Sequence, residues 1–234
     1  MGFVVVRTGH TGVRYLDNPP SGAFNQILLS VFENLDGLRF IQVGANDGVR
    51  ADPIYQKVRL HRWRGVFVEP LPIYFEQLRR NYAGLHGLQF VNAAVDLEPG
   101  TRRIFQLRPN LDVPDWAHGL PTFDLPRLQT VARALGLSDQ DIVSEEVQAV
   151  TWDEIRTTFG DHPCDVLVVD AEGYDITLLR AANLDRWRPR VILFEHGCAT
   201  EADRLAFYGE LLRLGYEISS DTQDTVAWQR PPAP

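Results

Sequence analysis

Sulfur is scarce in this chain: 234 residues include only two cysteines, Cys164 and Cys198. Two well-separated cysteines support neither a disulfide framework nor a thiolate metal site, so both are expected to be reduced packing residues. Long apolar runs are also missing. None approaches the roughly 20 residues that span a bilayer, and Phe3-Val4-Val5-Val6 has no basic segment before it. Neither a membrane span nor a signal peptide is expected, and the chain reads as cytoplasmic. Positive charge is short as well: 23 Lys and Arg against 31 Asp and Glu leave a net charge of -8. That balance is a poor match for a phosphate backbone and disfavours nucleic acid as a partner. The one basic cluster, Arg59, Arg62 and Arg64, sits among apolar neighbours and reads as a solvated helix end.

What is present is an ordinary globular composition, 44% hydrophobic and 23% charged, long enough for one domain spanning 1–234. The patterning alternates helices and strands. Phe24, Ile27, Leu28, Val31, Phe32 and Leu35 fall at helical spacing and predict a leading helix over 22–35. Strands are predicted at 39–43, 65–69, 88–93, 103–107, 147–150, 165–170, 190–195, 215–219 and 224–229. Helices are predicted at 72–82, 125–135, 174–182 and 201–213, with a short one opened by Thr151 and Asp153. Such repeats argue for an α/β fold with a doubly wound, mostly parallel sheet. Residues 108–146 break the rhythm with Pro109, Pro114, Pro121 and Pro126, and read as an inserted lid or substrate wall. Pro19-Pro20 reads as a turn before the leading helix, and the tail from Arg230 as disordered.

In open α/β sheets the ligand crevice lies beyond the carboxyl ends of the strands. The residues there are Gly44-Ala45-Asn46-Asp47-Gly48, Glu69-Pro70, Asn92-Ala93-Ala94, Asp170 to Glu172, and Glu195-His196. Glu69 stands at the second strand's end, where an acid accepts hydrogen bonds from ribose hydroxyls. The first loop lacks the G-x-G-x-x-G pattern of a pyrophosphate site and carries Asp47, whose charge repels a pyrophosphate and welcomes an ammonium and a sulfonium. S-adenosylmethionine is therefore favoured over NAD, with Gly44 permitting close backbone approach and Gly48 the turn.

Five segments together, Phe40-Ile-Gln-Val-Gly-Ala-Asn-Asp-Gly48, Val68-Glu-Pro70, Asn92-Ala-Ala-Val95, Val147-Gln-Ala-Val-Thr-Trp-Asp153 and Val169-Asp-Ala-Glu-Gly-Tyr-Asp175, resemble the FkbM-type methyltransferases in that order. The resemblance spans about residues 38–197. It implies a class I methyltransferase fold of the seven-stranded, Rossmann-like type, and O-methylation of hydroxyls on sugars or polyketide-like natural products. It maps Gly44, Asn46, Asp47, Glu69 and Asn92 to cofactor binding, and Asp170 and Glu172 to the catalytic mouth. The family's insertion often carries a Gly-x-x-Ser-Phe-like element, from which Gly119-Leu-Pro-Thr-Phe-Asp124 departs at Pro121 and Thr122, leaving the acceptor unnamed.

An alcohol must lose its proton to accept a methyl group, and Asp170, Glu172 and His196 are the candidate bases. Trp116, His118, Thr122, Phe123 and Tyr174 are candidate acceptor contacts. Asp170, Glu172, Glu195 and His196 also offer the oxygen-rich surroundings that hard cations take, but nothing in their spacing demands an ion, and no metal is assigned. Two other readings stay open: a dinucleotide-dependent oxidoreductase, and a non-catalytic S-adenosylmethionine-binding module.

Overall fold

The structure is a computed structural model that describes residues 4–6, 13–14, 20–114, 117 and 120–230. Its centre is a sheet built on apolar runs: β3 (Arg39–Val43), β4 (Arg64–Val68), β5 (Leu88–Val91), β9 (Val166–Val169) and β10 (Val191–Glu195) lie parallel. The reversed strand β12 (Asp224–Gln229) joins β10 to β11 (Tyr216–Ser220). The order β11-β12-β10-β9-β3-β4-β5 is the expected seven-stranded sheet. Two further strands extend it, because β1 (Val4–Val6) pairs antiparallel with β11, and β2 (Val13–Arg14) with β1. The edge of β11 offers backbone groups that β1 takes up.

Strand alternation divides the core. Phe40, Phe67, Val166 and Val191 face α1 (Pro20–Val31), α2 (Tyr55–Leu60) and α3 (Pro72–Asn81), where Phe24, Leu28 and Tyr82 meet them. Ile41, Leu167, Ile192 and Phe194 face α5 (Trp152–Phe159), α6 (Asp175–Ala181) and α7 (Glu201–Arg213), with Trp152, Leu179 and Phe207. Helix α1 begins two residues before the predicted start, since proline is tolerated at a first helical position. It stops four residues early, where the Asn34 side chain accepts the Asp36 N–H at 2.9 Å and closes a turn. At α5 the N-cap is Thr151, in a capping box with Glu154, and Asp153 lies in the first turn, as expected. Arg59, Arg62 and Arg64 are exposed at and beyond the end of α2, as expected.

A smaller sheet, in the order β6-β8-β7, sits over the carboxyl end of the large one. It comprises β6 (Ala94–Val95), β7 (Gly100–Leu107) and β8 (Ile142–Val150). Strand β8 begins five residues before the predicted Val147 because Ser144, Glu145 and Glu146 lie in an open strand whose pairing with β7 outweighs their polarity. The insertion therefore runs from 108 to 141. It carries α4 (Leu125–Ala134), whose Leu128 and Ala132 pack with Leu107 and Ala117. Of the cysteines, Cys164 is a buried packing residue, but Cys198 is exposed on the loop after β10 and corrects the expectation. Of the expected turn, Pro19 lies outside the described residues and Pro20 is instead the first residue of α1; of the expected tail, Arg230 pairs with Glu217 and residues 231–234 lie outside the described residues. Among the described residues no helix is long and apolar enough to cross a membrane.

Phe24 is 1% exposed and joins α1 to the sheet. Phe24→Ala should cost about 3–5 kcal/mol in urea unfolding, whereas a loss under about 1 kcal/mol would show α1 to be only loosely part of the core.

Candidate active site

The turn after β3 is fixed by close backbone contact. Gly44 has φ +75°, and a Cβ there would lie 1.7 Å from the Asp170 carbonyl oxygen. Its N–H and that of Ala45 both donate to the Val68 carbonyl, at 3.0 and 3.1 Å. The loop then turns through Asn46, at φ +48°, whose N–H donates to Glu69 Oε2 at 2.8 Å. Gly48 closes it at φ +71°, where a Cβ would strike Leu78 and Tyr82 at 2.4 and 2.6 Å. Three adjacent strand ends are thereby held within hydrogen-bond distance of one another.

A narrow crevice of about 90 Å³ opens between this turn, the strand ends and the insertion. Of the residues expected at the cofactor, Gly44, Asn46, Glu69, Pro70, Ala93, Ala94 and Asp170 line it. Glu172, Thr122, Phe123 and Tyr174 line it too, with Phe123 meeting Tyr174 edge-on at 6.3 Å. Other expected residues turn away from it. Asp47 bends back into its own loop, accepting the Val49 and Arg50 N–H groups at 2.9 and 2.8 Å, so its charge braces the turn. Ala45 and Gly48 shape the loop from behind. Asn92 donates to the Glu69 and Pro70 carbonyls at 2.9 and 3.0 Å and braces the second strand end.

The structure does not bring His196 to the crevice. It lies beyond the end of β10 against β12 and α7, where Nδ1 meets Thr225 Oγ1 at 2.8 Å and the ring packs against Tyr208. Burial, with Arg204 nearby, lowers its pKa to about 4, so the buried ring stays neutral. Trp116 and His118 lie outside the described residues.

Three residues unassigned from sequence organise the mouth. Asp175, 2% exposed, accepts the Ala171 and Gly173 N–H groups at 3.2 Å each and folds the loop after β9 back on itself. Arg127, from α4, donates to the Glu172 backbone carbonyl and holds its carboxylate at 3.0 Å. Thr122 Oγ1 donates to the same carbonyl at 3.1 Å, fastening the insertion to the loop after β9. Asp96 accepts a hydrogen bond from the Tyr174 hydroxyl at 3.1 Å and pairs with Arg102. Asp175 stands inside a quoted motif and was open to recognition. Arg127 lies 45 residues from Glu172 and leaves no local signal.

The electrostatics are those of crowded acids. Burial lifts Glu69 to about 7, although two N–H donors oppose the rise. Burial, Asp170 and Glu195 lift Glu172 to about 8 against the pull of Arg127. Asp170 is held well above the carboxylate range by its dense surroundings, then by Asp175, Glu195, Asp224 and Glu69, while its side chain stays open to solvent at the mouth. Oxygens of Asp170, Glu172 and Glu195 lie within 4.8 Å of one another, a set that would also suit a hard cation.

A family model for the methyltransferase FkbM domain matches residues 42–218. The crystal structure of methyltransferase FkbM from Methylobacillus flagellatus KT is 14% identical with a TM-score of 0.55, covering 91% of this chain and 48% of that one. The chain thus spans about half the length of that relative, and at this identity the likeness concerns the fold. Precorrin-6y C5,15-methyltransferase from Geobacter metallireducens GS-15 is 13% identical, with a TM-score of 0.45 and coverage of 88% of each chain. A methyltransferase from Thiobacillus denitrificans, solved with S-adenosyl-L-homocysteine, is 16% identical with a TM-score of 0.38, covering 86% of this chain and 65% of that one. No curated protein matches the chain.

A carboxyl whose folded pKa is raised favours folding fully below its unfolded pKa and loses that contribution as pH rises through the folded value. For Glu69 the window runs from 4.5 to about 7. Thermal melts of the ligand-free protein should fall between pH 5 and pH 8 by an amount on the order of a few kcal/mol, and Glu69→Gln should flatten the slope. An unchanged slope in the variant would show that Glu69 ionises without penalty.

Proposed function

Because the chain belongs to the methyltransferase FkbM domain family, we propose that it transfers a methyl group from S-adenosylmethionine to a hydroxyl of a small molecule, on a sugar or a glycosylated or polyketide-like product. The observation that carries this reading is the placement of Glu69 and Asp170 on the wall of one crevice, at the ends of the two parallel strands that flank β3. The crevice lining fits the cofactor. Glu69 is 4% exposed and keeps lone pairs for ribose hydroxyls, while Ala93, Ala94, Ile104 and Phe123 give an apolar surface for a purine. The dinucleotide alternative gives way to the family match.

When bound, S-adenosylmethionine supplies a methyl carbon whose bond to positive sulfur breaks, sulfur keeping the electron pair, as the bond to the acceptor oxygen forms. The protein's work is alignment, exclusion of water and removal of one proton. Asp170 is the proposed base, because its carboxylate stands at the mouth of the crevice, open to an acceptor hydroxyl. The acceptor hydroxyl donates to the Asp170 carboxylate and passes its proton there. Glu172, fixed by Arg127, is a positioning residue that holds the loop carrying Asp170. Asn46 and Gly44 set the edge of the crevice through their backbone. His196, facing α7, takes no part in the transfer.

Calorimetric titration with S-adenosylmethionine, S-adenosylhomocysteine and NAD tests the reading. The two adenosyl ligands should bind, NAD should not, and Glu69→Ala should weaken both by about tenfold or more. Binding of NAD alone would overturn the proposal. Once an acceptor is found, Asp170→Asn should lower kcat by roughly 10²–10⁴-fold while S-adenosylhomocysteine still binds.

A further inference from the structure

A second cavity, of about 570 Å³, opens at the same edge of the sheet on the side covered by α1 and α2. Among the described residues only Asp170 borders both spaces. Strand alternation turns Gln42 toward it, between the outward-facing Ile41 and Val43 of the other core. The Gln42 side chain is 3% exposed and its amide Nε2 donates to Asp52 at 2.8 Å. Its Oε1 is left buried and without a partner among the described residues, as is Oε2 of Glu195. A buried acceptor without a donor is costly, and the donor it lacks is one that an occupant can bring.

The charges around the cavity are unbalanced. Asp52, Asp170, Glu195 and Asp224 border it, against the ammonium of Lys57, the only lysine in the sequence. That ammonium is already given to the Pro53 carbonyl at 2.8 Å. Burial raises Asp52 to about 6, and burial with Asp221 and Glu195 nearby raises Asp224 to about 7. Neutral hydroxyls satisfy the acceptors but leave the charge standing. The trio suited to a metal, Asp170, Glu172 and Glu195, leaves out Asp52, Asp224 and Gln42.

We propose that this cavity receives the methyl acceptor, and that the acceptor is a hydroxyl-bearing molecule carrying a protonated amine, an amino-polyol. The assignment rests on the methyl-transfer reading above. The ammonium lies among Glu195, Asp224 and the Gln42 oxygen, and a neighbouring hydroxyl reaches Asp170, where the two cavities meet. Donor and acceptor thus approach one carboxylate from two sides.

The test loads the protein with S-adenosylhomocysteine and titrates it with D-glucosamine, with D-glucose as the neutral match. Glucosamine should bind about tenfold or more tightly than glucose. Asp224→Asn should weaken glucosamine by about tenfold, and Lys57→Met, which removes the competing cation, should tighten it several-fold. Both variants should keep wild-type affinity for S-adenosylhomocysteine. Opposite signs at two positions cannot arise from misfolding. Equal affinity for the two sugars, or no glucosamine binding by the loaded protein, overturns the proposal. So does a glucosamine signal abolished by equimolar magnesium, which would assign the carboxylates to an ion. Loss of S-adenosylhomocysteine in Asp224→Asn overturns it too, by giving the cavity to the donor's amino-acid end. Failure of the wild-type protein to bind S-adenosylhomocysteine counts against the methyl-transfer reading itself.

Discussion

The backbone of Gly44 and the Asp170 carbonyl lie in a contact that leaves no room for a side chain, and the geometry of the mouth follows from it. A Cβ at 1.7 Å from that oxygen would force β3 and β9 apart at their carboxyl ends. With the contact made, Asp170 N–H continues the ladder to the Val43 carbonyl at 3.0 Å, and the chain leaves β9 already beside the first turn. Glu69 is then captured by the Asn46 N–H on one oxygen and the Leu71 N–H on the other. One glycine thus orders the ends of three strands, and the carboxylates inherit their positions from backbone rather than from each other.

Those carboxylates repel, and the fold contains the repulsion from outside the sheet. The loop after β9 is held from within by Asp175 and from above by the insertion, through Arg127 and Thr122. Glu172, at φ +50°, adopts a left-handed conformation that such clamps can sustain. The insertion therefore serves both as a wall for the crevice and as the source of the Arg127 guanidinium at Glu172. Its removal would leave like charges facing one another across a few ångströms.

Much of this was legible in the sequence, and the failures have physical causes. Apolar runs marked the parallel strands because both their faces are covered, and the strand-end rule found Glu69 and Asp170. The start of β8 was obscured because Ser144 and Glu146 are exposed and Glu145 is only half-buried, so that pairing rather than burial decides. The pairing of β1 with β11 depends on an edge that only the assembled sheet presents. Asp47 was placed in the right loop, but side-chain direction in a tight turn follows from dihedrals that composition does not reveal. His196 is different: the strand-end rule names it, but Thr225 and Tyr208 take up its ring, contacts that only the assembled β12 and α7 supply. Arg127 reaches Glu172 only through tertiary packing.

The two cavities that meet at Asp170 bear on the timing of the reaction. Where a cofactor lies across the only entrance, reactants must load in a fixed sequence and the spent cofactor cannot leave before the product. Here the sheet edge separates the two approaches, one walled by the insertion and the other by α1 and α2. On the proposed assignment of donor and acceptor to these two spaces, either reactant would arrive first and either product depart first, as in a random sequential enzyme whose turnover is set by whichever of the two doors empties more slowly.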